Sequence, residues 1–215
     1  MTKDQQPPRA WQRMLSGRRL DLLNPSPEDV AIEDIAHGLA RVARWNGQTT
    51  GSHAFSVAQH CLVVEEIAAA LSPGLSGDAR LLALLHDAPE YVVGDLISPF
   101  KAAIGLDYKS FEQRLLDTIC RRFGLPLPTP TIIAATIKKA DRVAAYLEAT
   151  GLAGFTKDEA VRFFEAPVAM PGQLLARLSD LRPLAPPDAQ AAFLARFNDL
   201  HVAAGGDENL TSQPG

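Results

Sequence analysis

Leu81-Leu82-Ala83-Leu84-Leu85-His86-Asp87-Ala88-Pro89-Glu90 is the stretch on which the reading of this chain turns. Leu81 to Leu85 are apolar on nearly all sides, the pattern of a helix enclosed at the centre of an all-α domain rather than laid on its surface. The run delivers an adjacent imidazole and carboxylate, His86 and Asp87, toward the interior. An unpaired buried carboxylate forfeits several kcal/mol of hydration, so a compensating group has to meet this pair.

Working outward, Ser56-x-x-Gln59 reads as a capping box that opens a helix through Val57, His60, Val63, Val64, Ile67 and Leu71, up to Pro73-Gly74. His60 falls on the apolar face of its first turn. Before it, Ile32, Ile35, Ala36, Leu39, Val42 and Ala43 recur at three- and four-residue spacing, which predicts an amphipathic helix ending near Trp45-Asn46-Gly47. After it, Tyr108 to Phe123 reads as a helix closed by Gly124 and Pro126. Thr129 is expected to cap, and Pro130 to open, a helix through Ile133, Ile137, Ala140, Val143, Ala144 and Leu147 toward Gly151, with Asp141 in its middle. Thr156-x-x-Glu159 is a second capping box, and Pro187 to Leu200 reads as a final helix.

No repeat and no alternating stretch long enough for a strand is found, so the predicted fold class is all-α. The expected organisation is an irregular lead-in over 1–24, a core over 25–152, a helical extension over 153–203 packed on it, and a mobile tail over 204–215. The 215 residues, 47% hydrophobic and 21% charged, suffice for one buried core. A formal net charge of −4 and a pI near 5.7 exclude the broad basic footprint of an extended nucleic-acid binder. Cys61 and Cys120 form no C-x-x-C motif, the first residues Met1 to Pro8 lack an apolar signal core, and no apolar run approaches the roughly 18 residues of a membrane span. A soluble protein of the reducing cytoplasm is expected.

A divalent metal is one answer to the buried His86-Asp87 pair, because it accepts imidazole nitrogen and carboxylate oxygen together. His60 and Asp141 face inward by the same helical reading and are the natural additions. Any one of them alone is more often a core group hydrogen-bonded to backbone. Glu90 one turn on and Asp95 after Gly94 add acidity that chance partners do not neutralise, and together they favour a site. His53 reads as a solvent-exposed loop residue, and His37 and His201 as surface or packing groups. Cys61 points about 100° from His60 around the helix, which disfavours a Cys-His nucleophilic pair. No Gly-rich phosphate loop is found, against a P-loop kinase or a nicotinamide enzyme.

Arg44-Trp45, Ser56-Val57-Ala58-Gln59-His60, Leu84-Leu85-His86-Asp87-Ala88-Pro89-Glu90 and Gly94-Asp95-Leu96 resemble the motifs of the HD-domain metal-dependent phosphohydrolases, and among these the 5′-deoxynucleotidase (nucleoside 5′-monophosphatase) group. The likeness covers about residues 30 to 150. It implies an HD-domain helical bundle with a C-terminal helical extension. It further implies that His60, His86, Asp87 and Asp141 bind one divalent transition metal, which could be Mn, Co, Fe, Ni or Zn. By the same likeness Glu90 orients or deprotonates the attacking water, Asp95 stands by the sugar hydroxyl or leaving group, Arg44 binds phosphate and Trp45 lies beside the sugar. Gln59 departs from the acid usual before the histidine, and the interval from Arg44-Trp45 to His60 is shifted by about a residue.

An arginine fork suits a phosphate better than the point charge of lysine, which favours Arg44 over the alternatives Arg41, Lys101 and Lys138. The plainer reading of Arg41 and Arg44 is a solvated helix C-terminus. The implied partner is a small-molecule phosphate ester, foremost a nucleoside 5′-monophosphate, with no membrane partner, and a homodimer is compatible with it. Two rivals stand beside this reading: a nucleotide pyrophosphohydrolase or triphosphohydrolase using the same ligands, and a non-catalytic nucleotide-binding module that keeps the pocket. The presence of Glu90 argues against the second.

Overall fold

The computed structural model describes residues 10–95, 106–168 and 170–206. Among these the chain forms nine α-helices: α1 (Ile32–Leu39), α2 (Val57–Leu71), α3 (Gly77–Leu84), α4 (Glu90–Val93), α5 (Leu106–Arg122), α6 (Thr131–Gly151), α7 (Lys157–Ala160), α8 (Gly172–Leu178) and α9 (Pro186–Ala203). The all-α class read from the sequence is what the chain adopts. Lys101 and the tail beyond 206 lie outside the described residues.

The one departure in class is small and sits where an irregular lead-in was expected. Two three-residue strands, β1 (Trp11–Arg13) and β2 (Arg19–Asp21), pair antiparallel with Gln12 opposite Leu20. Three residues are too few to show an alternating pattern. What secures the hairpin is tertiary: Leu20 and Met14 are buried in the main core, and Ser16 at its tip gives Asp34 of α1 a backbone bond of 2.9 Å and a hydroxyl bond of 2.5 Å.

α1 stops at Leu39, six residues before the end its periodicity predicts. Val42 and Ala43 leave the helix for an extended pairing with the entry to α2, through Arg44 N to Phe55 O at 2.8 Å and Val57 N to Val42 O at 3.0 Å. Arg44 to Gly47 then form a 3₁₀ turn in which Trp45 (φ 57°) and Asn46 (φ 51°) are left-handed. For a bulky residue such as Trp45 that conformation costs on the order of 1 kcal/mol or more and persists only where the surroundings enforce it.

α2 is buried along almost its whole length, from Val57 to Ala68, and contributes to both apolar clusters. One cluster joins α1, α3, α5 and α9 through Ile35, Leu84, Ile119 and Phe193. The other joins α2 and α6 through Val64, Ile67, Val143 and Leu147. Ser56 caps α2 by accepting from Gln59 N, as the sequence suggested. The Gln59 side chain does not close the box. It clips the C-terminal segment instead, donating to Arg182 O and accepting from Leu184 N, both at 2.9 Å. α6 begins at Thr131 with Pro130 at its N-cap, so Thr129 does not cap it.

α3 ends at Leu84, and His86 and Asp87 lie in the following turns rather than on the helix. Those turns lead into α4, which is held close to α1. A Cβ on Gly38 would lie 2.8 Å from the Cβ of Tyr91, so the glycine is required for this approach.

A second constraint ties α2, α3 and α9. Glu65 of α2 is fully buried and accepts from Arg80 of α3 at 2.5 Å and from Arg196 of α9 at 2.8 and 3.1 Å. Removing the shared carboxylate strands two guanidinium groups at once. Glu65→Ala is expected to lower the unfolding free energy in urea by about 3 kcal/mol, and a change below about 1 kcal/mol would show the cluster to be merely tolerated.

Candidate metal centre

Three elements converge on one point. His60 comes from the first turn of α2, His86 and Asp87 from the turns after α3, and Asp141 from the middle of α6. His60 Nε2 lies 3.2 Å from Asp141 Oδ1 and 3.5 Å from Asp87 Oδ2, and His86 Nε2 lies 3.3 Å from the same Asp87 oxygen. One donor atom each from His60, His86 and Asp141 falls within a 4.8 Å group.

The two imidazoles are oriented from behind. His60 Nδ1 is 2.5 Å from Glu148 Oε1, and His86 Nδ1 is 2.9 Å from the carbonyl of Ala83. A carbonyl only accepts, so His86 carries a hydrogen on Nδ1, and the Glu148 carboxylate asks the same of His60. In the neutral rings both Nε2 lone pairs then face the cluster. Both atoms are buried and make no hydrogen bond there. Two orphaned acceptors beside two carboxylate oxygens are the arrangement a divalent cation satisfies. Ligand atoms at roughly 2.0–2.2 Å from one ion sit about 3–3.5 Å apart, so the donor set present fits such an ion.

With no ion between them, the carboxylates and the imidazoles act on one another. Burial pulls the His60 imidazole down, as does the Arg44 cation, but Glu148, Asp141 and Asp87 outweigh both and hold its pKa well above the ordinary value. His86 is likewise pulled down by burial and raised well above 6.5 on balance, chiefly by Asp87. Burial alone would raise Asp87, yet His86 and His60 hold it well below the carboxylate range. Asp141 is lowered too, with His60 overcoming its burial.

Glu148 is the residue that the sequence reading missed. It is fully buried, and beyond His60 it accepts from the Trp45 indole at 2.8 Å and faces Arg44 Nε at 3.4 Å. Burial raises its pKa, but His60 and Arg44 bring it below the usual glutamate value. The signal was available: Glu148 is seven residues, two helical turns, beyond Asp141 and therefore on the same face of α6. The apolar periodicity of that face hid it.

Arg44 reaches the cluster pinned, with Nη1 also 3.2 Å from Asp95 Oδ2. The Trp45 ring packs against Phe155 and Phe164 at centroid distances of 5.7 and 5.6 Å, both from the segment after α6. Glu90, the first residue of α4, is buried, and the Cys61 thiol interacts with His86. His53 is exposed, and His201 is buried and stacks on Phe197, in keeping with a packing role. A cleft of about 860 Å³ opens from His86 and Asp141 between α5 and α6.

Because a metal takes imidazoles neutral, it must displace the protons that the raised pKa values keep on His60 and His86. Mn²⁺ binding is therefore expected to release protons and to tighten as pH rises above about 6.5. Calorimetry in buffers of different ionisation enthalpy checks this, and identical heats in all of them would contradict it. Glu148→Gln keeps the shape but weakens the acceptor behind His60, and Mn²⁺ affinity is expected to fall about 10- to 100-fold with the fold intact by circular dichroism.

The residues 57–146 match the HD domain family. An uncharacterized protein of Rhodobacter capsulatus is 56% identical over 192 residues, which cover 89% of this chain and 96% of that protein. The uncharacterized protein YfdR of Escherichia coli K12 is 28% identical over 188 residues, covering 87% and 94% of the two chains. The matched span starts one residue after the Ser56 cap and ends beyond Asp141, enclosing all four converging side chains, so residues 57–146 of this chain are an HD domain.

Proposed function

We propose that this protein is a cytoplasmic phosphomonoesterase that hydrolyses a nucleoside 5′-monophosphate at a divalent transition metal held by His60, His86, Asp87 and Asp141. The observation that carries the reading is the pair of buried, unbonded Nε2 atoms facing two carboxylates. The mixed nitrogen and oxygen set accommodates Mn, Co, Fe, Ni or Zn. Such an ion would polarise a phosphoryl oxygen and lower the pKa of water toward neutrality.

The chain's own groups do the rest. Glu90, buried at the start of α4 four residues after His86, takes the proton of the attacking water. Arg44, fixed by Glu148 and Asp95, turns its unengaged Nη2 edge to the phosphate, where a preplaced guanidinium favours the charge-separated transition state. Asp95, held by Arg44, stands by the sugar or leaving-group oxygen. Trp45, with its indole N–H engaged by Glu148, offers the sugar only its remaining exposed edge. Among the described residues no helix is long and apolar enough to cross a membrane, and both cysteines are unpaired.

A screen of released phosphate across divalent metals and nucleoside mono-, di- and triphosphates tests the reading. Orthophosphate from monophosphates supports it, pyrophosphate or tripolyphosphate as product assigns the chemistry to the rival class, and no product with any metal leaves a binding module. Glu90→Gln is expected to keep its metal while kcat falls about 10²-fold or more. Loss of metal in that variant would make Glu90 a ligand instead.

A further inference from the structure

The cleft beside the cluster has a composition the proposed reaction does not yet use. His86 and Asp141 are among its lining residues, so an ester whose phosphate reaches the cluster from this side extends into the cleft. Its walls are largely aliphatic, with Leu82 and Leu85 at the base, Leu116 on α5 and Ile137 on α6. Polar groups enter from the helix faces. Gln113 donates to Asp117 at 2.8 Å along α5, which fixes the amide and leaves an acceptor and one N–H free for a ligand edge.

The cations divide sharply. Arg44 is committed to two carboxylates, and Lys139 to Glu165 at 3.6 Å. Arg121 and Lys138 line the cleft without an ion pair or side-chain hydrogen bond among the described residues, and of the two it is Lys138 that sits on the helix carrying Asp141. It lies three residues before Asp141, a spacing that stacks the two side chains on one face of α6. A dianionic phosphate presented to His86 and Asp141 from the cleft therefore arrives within reach of an uncommitted ammonium.

We infer that the α5–α6 cleft holds the base of the nucleotide, beyond the sugar assigned to Trp45 and Asp95, and that Lys138 contacts its phosphate from the solvent side. This rests on the phosphomonoesterase reading and extends it to how the substrate lies. An ammonium on a flexible stem suits this position, because it can follow phosphate in and product out, whereas the pinned Arg44 cannot move.

Two variants and two readouts test it. Ala134, an exposed residue of α6 on the cleft wall, is replaced by Trp to fill the groove, and Lys138 by Ala to remove the charge. Binding of inorganic phosphate to the Mn²⁺-loaded protein is measured by calorimetry, and KM for a panel of nucleoside 5′-monophosphates by phosphate release. Lys138→Ala is expected to weaken phosphate binding about tenfold without loss of metal, with Lys138→Arg restoring part of it. Ala134→Trp should leave phosphate binding unchanged and raise KM for the nucleotides about tenfold. Wild-type phosphate affinity in Lys138→Ala, or no phosphate binding by the wild type, overturns the contact, and unchanged KM in Ala134→Trp overturns the cleft assignment. Phosphate binding that depends on Lys138 in a protein that turns over no ester would sink the phosphomonoesterase reading while the Lys138 contact stands.

Discussion

Much of this site depends on one buried carboxylate. Glu148 has no exposure to solvent and accepts from His60, with Trp45 and Arg44 completing its surroundings. A carboxylate so placed is costly unless each lone pair is used, and here the imidazole, the indole and a guanidinium use them. The arrangement works in both directions. Glu148 is stabilised as an anion, and it dictates which nitrogen of His60 is turned toward Asp87 and Asp141. It lies just beyond the span that matches the HD family, as do Arg44 and Trp45 on the other side. The matched residues carry the converging donors, while Glu148, outside the span, aims His60.

The same carboxylate explains the strained turn that interrupts the expected first helix. Trp45 is left-handed at φ 57°, a conformation its bulk disfavours. Its N–H is fixed by Glu148 and its ring by Phe155 and Phe164, contacts available only if the chain leaves the helix after Leu39. The strain is thereby linked to presenting Arg44 at the cluster, between Glu148 and Asp95. The segment after α6, for which the sequence offered no functional reading, supplies the aromatic backing.

A second fully buried carboxylate, Glu65, does comparable work for the scaffold. Both glutamates sit on long helices among apolar neighbours, and both are met by arginines from distant segments. The difference lies in the partners. Around Glu65 the charges are satisfied by Arg80 and Arg196. Around Glu148 the neutralisation runs onward through His60 to a point where two buried imidazole nitrogens make no hydrogen bond. That imbalance is the physical signature separating a structural ion cluster from a site built to receive something.

Local pattern sufficed for the helical class, for the caps at Ser56 and Thr156, and for the inward placement of His60, because helical periodicity and capping act within a few residues. It also singled out His86-Asp87, since a charged pair after an enclosed apolar run is anomalous whatever it meets. The end of α1 at Leu39, the hairpin over Trp11–Asp21 and the outward turn of the Gln59 side chain had no local signature, because long-range partners outbid local propensity at each. Glu148 was legible only in hindsight, its two-turn spacing from Asp141 masked by the apolar residues between them. Only tertiary structure decides what a buried charge faces, because electrostatic compensation comes from residues near in space, here up to about a hundred positions away along the chain.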